Sequence, residues 1–251
     1  MEWIDAHCHL HTPWFPTIDD VLEASSKVGV RAIVNCSSEP KTFHEVEKFS
    51  ENDGVYHTLG LQPTLAGNYK NQDVLDLFLP HMGECLKGIG EVGLDYYWVK
   101  DEGERKIQRE LFEKIIKTTN ELNLPIVVHS RKAESDCLNL LEKFADTPVL
   151  LHSFDGNLKE TMRAVDLGYM ISIPTNVTIR KKRRKTVKRA GLDRILLETD
   201  SPFCAPSDDI ERNDSSNIPI AGRYIAKLLE IDVEEVSRVT TENASKFYSG
   251  I

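Results

Sequence analysis

The segment RKIQRELFEKIIKTTNEL at 105–122, followed by NLPIVVH at 123–129, holds the unit from which the fold can be read. Ile107, Leu111, Ile115 and Leu122 fall on one stripe of a 3.6-residue period with Glu, Lys and Arg between them, so 105–122 reads as an amphipathic helix. Pro125 stops it, because proline has no N–H to donate and its ring clashes with the preceding turn. The run from Pro125 to His129 is then a short, β-branched strand. The same alternation extends in both directions. Strands are predicted at 3–7, 31–35, 55–61, 86–91, 125–129, 149–152, 169–173 and 195–200. Helices are predicted near 19–28, 39–50, 73–82, 105–122, 134–144, 158–167 and 180–190, and the eighth strand leads through a long polar loop to a helix near 219–230.

Alternating strands and helices imply a parallel sheet with right-handed crossovers. Eight such units in 251 residues favour an α/β TIM (β/α)8 barrel, with an open doubly wound sheet as the runner-up. An extra C-terminal helix is expected over 232–248, with Val233, Val236, Val239 and Phe247 at helical intervals and Asp232 at its N-cap; its expected place is the barrel exterior. No composition shift or low-complexity linker divides the chain, so 1–251 is expected to be a single domain.

Composition excludes several classes. A hydrophobic fraction of 40% with 28% charged residues is too apolar for a disordered chain, and 14 Gly and 11 Pro are too few for a collagen-like one. No apolar run is long enough for a membrane helix, and Met1-Glu2-Trp3-Ile4-Asp5 lacks the basic start and apolar stretch of a secretory signal, so a cytoplasmic protein without membrane partners is expected. Cys8, Cys36, Cys85, Cys137 and Cys204 are odd in number and contain no CxxC pair, which points to reduced, mostly buried thiols. The net charge of −9 hides an asymmetry, because 180–189 carries eight Lys and Arg and no acid. That run reads as a solvated outer helix face or as a contact for nucleic-acid phosphates beside the barrel mouth.

His7, Glu91, His129, His152 and Asp200 fall at or just after the predicted ends of strands one, four, five, six and eight. In a barrel those ends converge on one mouth, where such folds carry their active sites. His7 and His9 form an H-x-H whose imidazoles point the same way while Cys8 points opposite; His9 and His11 match the same pattern. Four imidazoles and two carboxylates suit a pair of divalent ions such as Mg, Mn or Zn, with Glu91 able to bridge. Two such ions would polarise a phosphoryl oxygen and hold a hydroxide, and Asp200 could ligate and take the proton of that water.

The blocks Ile4-Asp-Ala-His-Cys-His-Leu10, Ile89-Gly-Glu-Val-Gly-Leu-Asp-Tyr-Tyr97, Leu124-Pro-Ile-Val-Val-His-Ser-Arg131, Leu151-His-Ser-Phe-Asp-Gly156, Leu196-Leu-Glu-Thr-Asp-Ser-Pro202 and Thr241-Glu-Asn-Ala244 resemble, in order, those of the TatD family of metal-dependent hydrolases. The resemblance implies a barrel of the amidohydrolase type with a divalent-metal phosphodiesterase activity, a 3′→5′ deoxyribonuclease with DNA or a nucleic-acid fragment as substrate. It implies that His7, His9, Glu91 and Asp200 hold one ion and Glu91, His129 and His152 a second, which settles the H-x-H pair; Asp200 and Glu91 are then the catalytic residues. The sequence departs from the family where Gly60-Leu-Gln-Pro-Thr64 stands in place of G-x-H-P-H, so Gln62 and Thr64 replace two histidines. His11 stands where the family is commonly acidic, and Arg212-Asn-Asp-Ser-Ser-Asn-Ile-Pro219 is an altered R-N-E-P segment.

Four residues are candidates for substrate contact. Arg131 can fork onto a phosphate, Glu198 shares the face of Asp200 as a substrate or supporting carboxylate, and Gln62 and Asn213 lie in loops. Tyr96, Tyr97 and Trp98 are placed to stack on a base or to pack. Two other readings use the same residues. One is hydrolysis of an ester or amide, such as an aminoacyl-tRNA linkage, since the same hydroxide attacks carbonyls. The other is a vestigial site in a nucleic-acid-binding protein that relies on 180–189.

Overall fold

The computed structural model describes residues 1–251 and realises the barrel. Strands β1 (Trp3–Cys8), β2 (Val30–Ser37), β3 (Val55–Leu59), β4 (Leu86–Asp95), β5 (Ile126–Arg131), β6 (Val149–Leu151), β7 (Met170–Pro174) and β8 (Ile195–Glu198) pair in chain order, all parallel. The ring draws together between β8 and β1, where Asp200 N–H donates to His7 O at 3.0 Å and His9 N–H donates to Ser201 O at 2.8 Å. The helices are α1 (Asp19–Lys27), α2 (Phe43–Phe49), α3 (Ala66–Tyr69), α4 (Val74–Phe78), α5 (Glu102–Leu122), α6 (Glu134–Phe144), α7 (Leu158–Asp166), α8 (Lys181–Ala190), α9 (Ile218–Leu229) and α10 (Val233–Phe247). α5 opens on Asp101, whose carboxylate accepts from Glu104 N–H at 2.9 Å, and ends at Asn123 in the left-handed region, φ 52°.

Three expectations are corrected. The single helices expected at 39–50 and 73–82 are each a short 3-10 turn joined to a helix, because Pro40 and Pro80 sit in those turns and cannot donate to a longer ladder. β4 runs four residues past Glu91, since Val92, Gly93, Leu94 and Asp95 pair with Val128, His129, Ser130 and Arg131. α10 does not simply lie on the exterior. Ala244, Phe247, Tyr248 and Ile251 form one buried cluster with Ile4, Ala6, Ala32, Val34, Val127, Leu150 and Leu196, and the Tyr248 hydroxyl donates to Ala6 O at 2.8 Å. The C-terminal segment therefore plugs the end of the barrel opposite the mouth, burying an aromatic pair that would otherwise face water.

On the strands that supply this cluster, the same faces continue toward the mouth as polar positions: Cys36 after Val34, His129 after Val127, His152 after Leu150, and Glu198 and Asp200 after Leu196. β1 places His7 and His9 on one side and Cys8 on the other, as expected, but does so through a break in its alternation. Its register on β2 slips between Asp5 and Cys8, so that His7 rather than Cys8 follows Ile4 and Ala6 inside, while Cys8 joins Leu10 and Phe15 in the outer core.

His57 on β3 carries a pH-dependent share of the stability. Its Nδ1–H donates to Ser50 Oγ at 2.9 Å, the Ser50 hydroxyl donates on to Val46 O, and Nε2 is buried without a partner. Burial holds the imidazole down to about 4, with the His81 ring adding to the effect and the Glu47 carboxylate opposing it. A depressed histidine stabilises the fold above the unfolded value near 6.5, and that stabilisation is lost as the pH falls toward the folded value. Relative to His57→Gln, the wild type is expected to lose up to about 3 kcal/mol between pH 7 and pH 4. Urea unfolding of both proteins across that range checks it, and parallel pH profiles would refute it.

Candidate metal centre

The mouth of the barrel opens into a cleft of about 830 Å³ lined by His9, His11, Glu91, His129, His152 and Asp200 among others. His7 lies just beneath it, fully buried. Its Nε2 faces His9 Nε2 at 3.2 Å, and its ring lies 3.9 Å from that of His152. Glu91 reaches into the middle: Oε2 stands 3.3 Å from His9 Nε2 and 3.8 Å from His7 Nε2, and Oε1 stands 2.6 Å from His129 Nδ1. Asp200 Oδ1 lies 3.6 Å from His9 Nε2, 3.8 Å from His152 Nε2 and 3.9 Å from His7 Nε2. All six residues expected at the site are thus brought together. Their donor atoms fall into three close groups, each within 4.8 Å: Glu91 with His129 and His152, His7 with His152 and Asp200, and His7 with His9, Glu91 and Cys36.

The donor set fits divalent ions because the outward nitrogens of His9, His129 and His152 are tied off, while Nδ1 of His7 is buried without a partner. His9 Nδ1–H donates to Cys36 O at 3.1 Å, His152 Nδ1–H to Glu198 Oε2 at 3.0 Å and His129 Nε2–H to Asp95 Oδ2 at 3.1 Å. Each of these bonds leaves the other ring nitrogen aimed at the centre, the arrangement that orients ligating imidazoles.

The electrostatics agree. Burial opposes charge on His129, but the Glu91 and Asp95 carboxylates outweigh it and push the imidazole up to about 10. Burial likewise opposes charge on His152, and Glu198 and Asp200 carry it up to about 9. His7, buried and crowded by His152 and His9, is held well below the usual histidine range. Burial raises Asp200 above the usual carboxylate range, against the pull of His152 and His9. The acids facing one point thus draw positive charge: a proton on each of His129 and His152, which a divalent ion would replace in taking their lone pairs.

One substrate-contact expectation is corrected, and another is decided between its two readings. Asn213 is fully buried, and its Nδ2 donates to Thr175 Oγ1, Thr199 O and Phe203 O at 2.8–3.0 Å, so it rivets the loop after β8 and does not face the cleft. Glu198 is also 0% exposed and spends its reach on His152, so it supports the site from behind. Arg131 and Gln62 do line the cleft.

Three residues of the site went unread in the sequence. Asp95 sits inside the quoted block around Glu91, and the apolar run continuing to Leu94 was the signal that the strand went on to place it. Cys36 accepts from Glu91 N–H at 3.0 Å and donates to Gly90 O at 3.2 Å. Burial pushes its thiol well above its usual range, which keeps it a neutral prop for Glu91. Arg183, within the basic run, turns into the cleft and donates to Ser153 O and Phe154 O, anchoring the loop after β6.

A profile of the family described as TatD related DNase matches residues 4–249. The chain belongs to the TatD family. It is similar to the deoxyribonuclease TATDN3 of Homo sapiens, at 39% identity over 98% of this chain and 94% of that one. It is also similar to YabD of Bacillus subtilis, named as an uncharacterized metal-dependent hydrolase, at 31% identity over 97% and 98% of the two chains. Among solved structures it resembles YJJV, a TatD homologue from Escherichia coli, with a TM-score of 0.88 and 25% identity over 99% and 98% of the chains. This TatD protein is accordingly a metal-dependent hydrolase acting on ester bonds, with His, Glu and Asp clusters that could bind metal. None of its helices is long and apolar enough to cross a membrane.

Proposed function

We propose that this TatD protein cleaves phosphodiesters, trimming single-stranded DNA from the 3′ end with two divalent ions. The observation that carries this reading is the convergence of His7, His9, Glu91, His129, His152 and Asp200 on one point, with three outward imidazole nitrogens already engaged. His7, His9, Glu91 and Asp200 would hold one ion, and Glu91, His129 and His152 the other. Divalent ions held there would supply Lewis-acid polarisation of a phosphoryl oxygen and make water a better nucleophile at neutral pH.

The chain's own residues do the rest. Asp200 Oδ2 accepts from the Cys204 thiol at 3.4 Å, which turns Oδ1 toward the centre to take the proton of the attacking water. Asp95 and Glu198 keep His129 and His152 aimed. Arg131 pairs with no acid and borders the cleft, which frees its guanidinium for a non-bridging phosphate oxygen. Gln62, where the family commonly has histidine, offers hydrogen bonds that do not titrate near neutral pH.

The test is hydrolysis of 3′-end- and 5′-end-labelled single-stranded DNA by metal-stripped protein with Mg, Mn or Zn restored, beside a His129→Ala/His152→Ala double variant. Metal-dependent shortening from the 3′ end, lowered at least about 10²-fold in the variant, is the expected result. Stoichiometric metal uptake without shortening would reject the phosphodiesterase reading and move the search to carboxylic esters and amides.

A further inference from the structure

This chain buries its large aromatic side chains with few exceptions. Trp3, Phe15, Phe43, Phe78, Phe112 and Phe154 are at most 1% exposed. The exposed Trp, Tyr and Phe rings are four: Trp14 at 38%, Tyr97 at 41%, Trp98 at 65% and Phe203 at 51%. All four stand at the mouth. Trp14, Trp98 and Phe203 line the cleft, and Tyr97 packs edge-on against Trp98 with ring centres 4.9 Å apart.

Their placement around the ring divides them into two groups. Trp14 follows β1 and Phe203 follows β8, and the two rings meet edge to face at 5.4 Å across that seam. Tyr97 and Trp98 follow β4, with the Arg131 guanidinium at the end of β5 lying 4.0 Å over the Tyr97 ring and 5.7 Å from that of Trp98. In an eight-strand ring paired in chain order, the β8–β1 seam and the β4–β5 pair lie on opposite sides. The carboxylate and imidazole cluster lies between them.

The backbones of both groups are pinned. The Trp14 carbonyl accepts from Arg212 at 3.0 Å, and Glu45 grips Thr12 through its N–H at 2.8 Å and its hydroxyl at 2.7 Å. Tyr97 and Trp98 N–H both donate to Asp95 Oδ1, at 2.8 and 2.9 Å, the carboxylate whose other oxygen orients His129. Exposing hydrophobic rings costs free energy when nothing covers them, and paired rings at the rim of a cleft, with arginines beside them, are the elements from which single-strand stacking sites are made. Arg131 and Arg183 supply the positive charge beside them.

We infer that the mouth reads two unpaired bases flanking the scissile phosphate, one stacked on Trp14–Phe203 and the other on Tyr97–Trp98. The inference rests on the single-strand reading above and adds to it the residues that take the bases: the terminal and the penultimate base each have a surface of their own.

The test combines kinetics with a binding signal that needs no turnover. Wild type, Trp98→Ala, Trp98→Phe and Phe203→Ala are assayed with metal restored on an oligothymidylate and on the same strand carrying a base-free residue at the terminal or the penultimate position. Each alanine variant is expected to raise KM about tenfold on the intact strand. Each should also become indifferent to a missing base at one position only, and Trp98→Phe should recover most of the loss. Penalties that simply add, or KM values equal to wild type in an active enzyme, overturn the inference and leave the hydrolytic reading intact.

The protein has three tryptophans and Trp3 is buried, so quenching of its emission by oligothymidylate reports Trp14 and Trp98. Saturable quenching that is reduced in Trp98→Ala is expected. Quenching without any strand shortening would reject the nuclease and keep the stacking surfaces, whereas no quenching would reject the surfaces whatever the hydrolysis.

Discussion

Asp200→Asn is expected to fold as the wild type does and to lose about 10³-fold in turnover on single-stranded DNA. The residue follows β8 with φ 55°, in the left-handed region that asparagine tolerates as well as aspartate. Its backbone N–H bond to His7 O and the bond from Phe203 N–H to its carbonyl, at 3.0 and 2.8 Å, do not involve the side chain. What the substitution removes is a carboxylate oxygen facing three imidazoles, which under the proposed function would serve both as the base for the attacking water and as a donor to a bound ion. Loss of a positioned general base alone costs about 10²–10⁴-fold. Turnover, metal content and thermal unfolding measured on the same preparation separate the two roles. Full activity would remove Asp200 from the chemistry, and lost activity with full metal content would assign it chiefly to proton transfer.

Gly93→Ala is expected to cost on the order of 3 kcal/mol or more, a large part of the total stability of an ordinary domain. Gly93 pairs with His129 across β4 and β5, and a Cβ built on it would lie 2.0 Å from the His129 carbonyl oxygen and 3.0 Å from its carbon. Those atoms are backbone and belong to the ladder that carries the site, so neither strand can yield without shifting His129. The φ of 144° adds conformational strain for any residue with a side chain. Gly67 in α3 is the control, because a Cβ there meets nothing within 4 Å and Gly67→Ala is expected to be neutral or stabilising by up to about 1 kcal/mol. Urea unfolding of the two variants reads the difference. Equal midpoints would mean that the strand pair is not locked as described.

Much of this was legible in local pattern. The helix expected at 105–122 starts three residues inside α5 and ends with it at Leu122, because its stripe of Ile107, Leu111 and Ile115 and the stop at Pro125 are properties of a few consecutive turns. The order of the strands followed from alternation alone, since parallel neighbours joined by helices admit few arrangements. His129, His152 and Asp200 were placed from the same strand ends, two of them just beyond strands that stop one or two residues earlier than their apolar runs predicted.

Other features depended on partners arriving from far along the chain. Asn213 looked like a free loop amide, and it is a buried rivet because Thr175, Thr199 and Phe203 bring their oxygens to it. Glu198 became a support and not a contact because His152 came within 3.0 Å. The fate of a polar side chain turns on whether distant groups satisfy it, and no local window contains that information.

The residue pattern carried the period of each element, the chain order of the strands and the chemical character of the mouth, because spacing, proline punctuation and side-chain type act over a few residues. Closure of the ring decided the remainder. It set the slip in β1 that turns His7 inward, the extension of β4 that places Asp95 behind His129, and the C-terminal plug beneath the barrel. It also set two aromatic surfaces on opposite sides of the centre. Register and burial are settled only when neighbouring strands fill each other's hydrogen bonds and volume, and in this barrel those neighbours come from opposite ends of the chain.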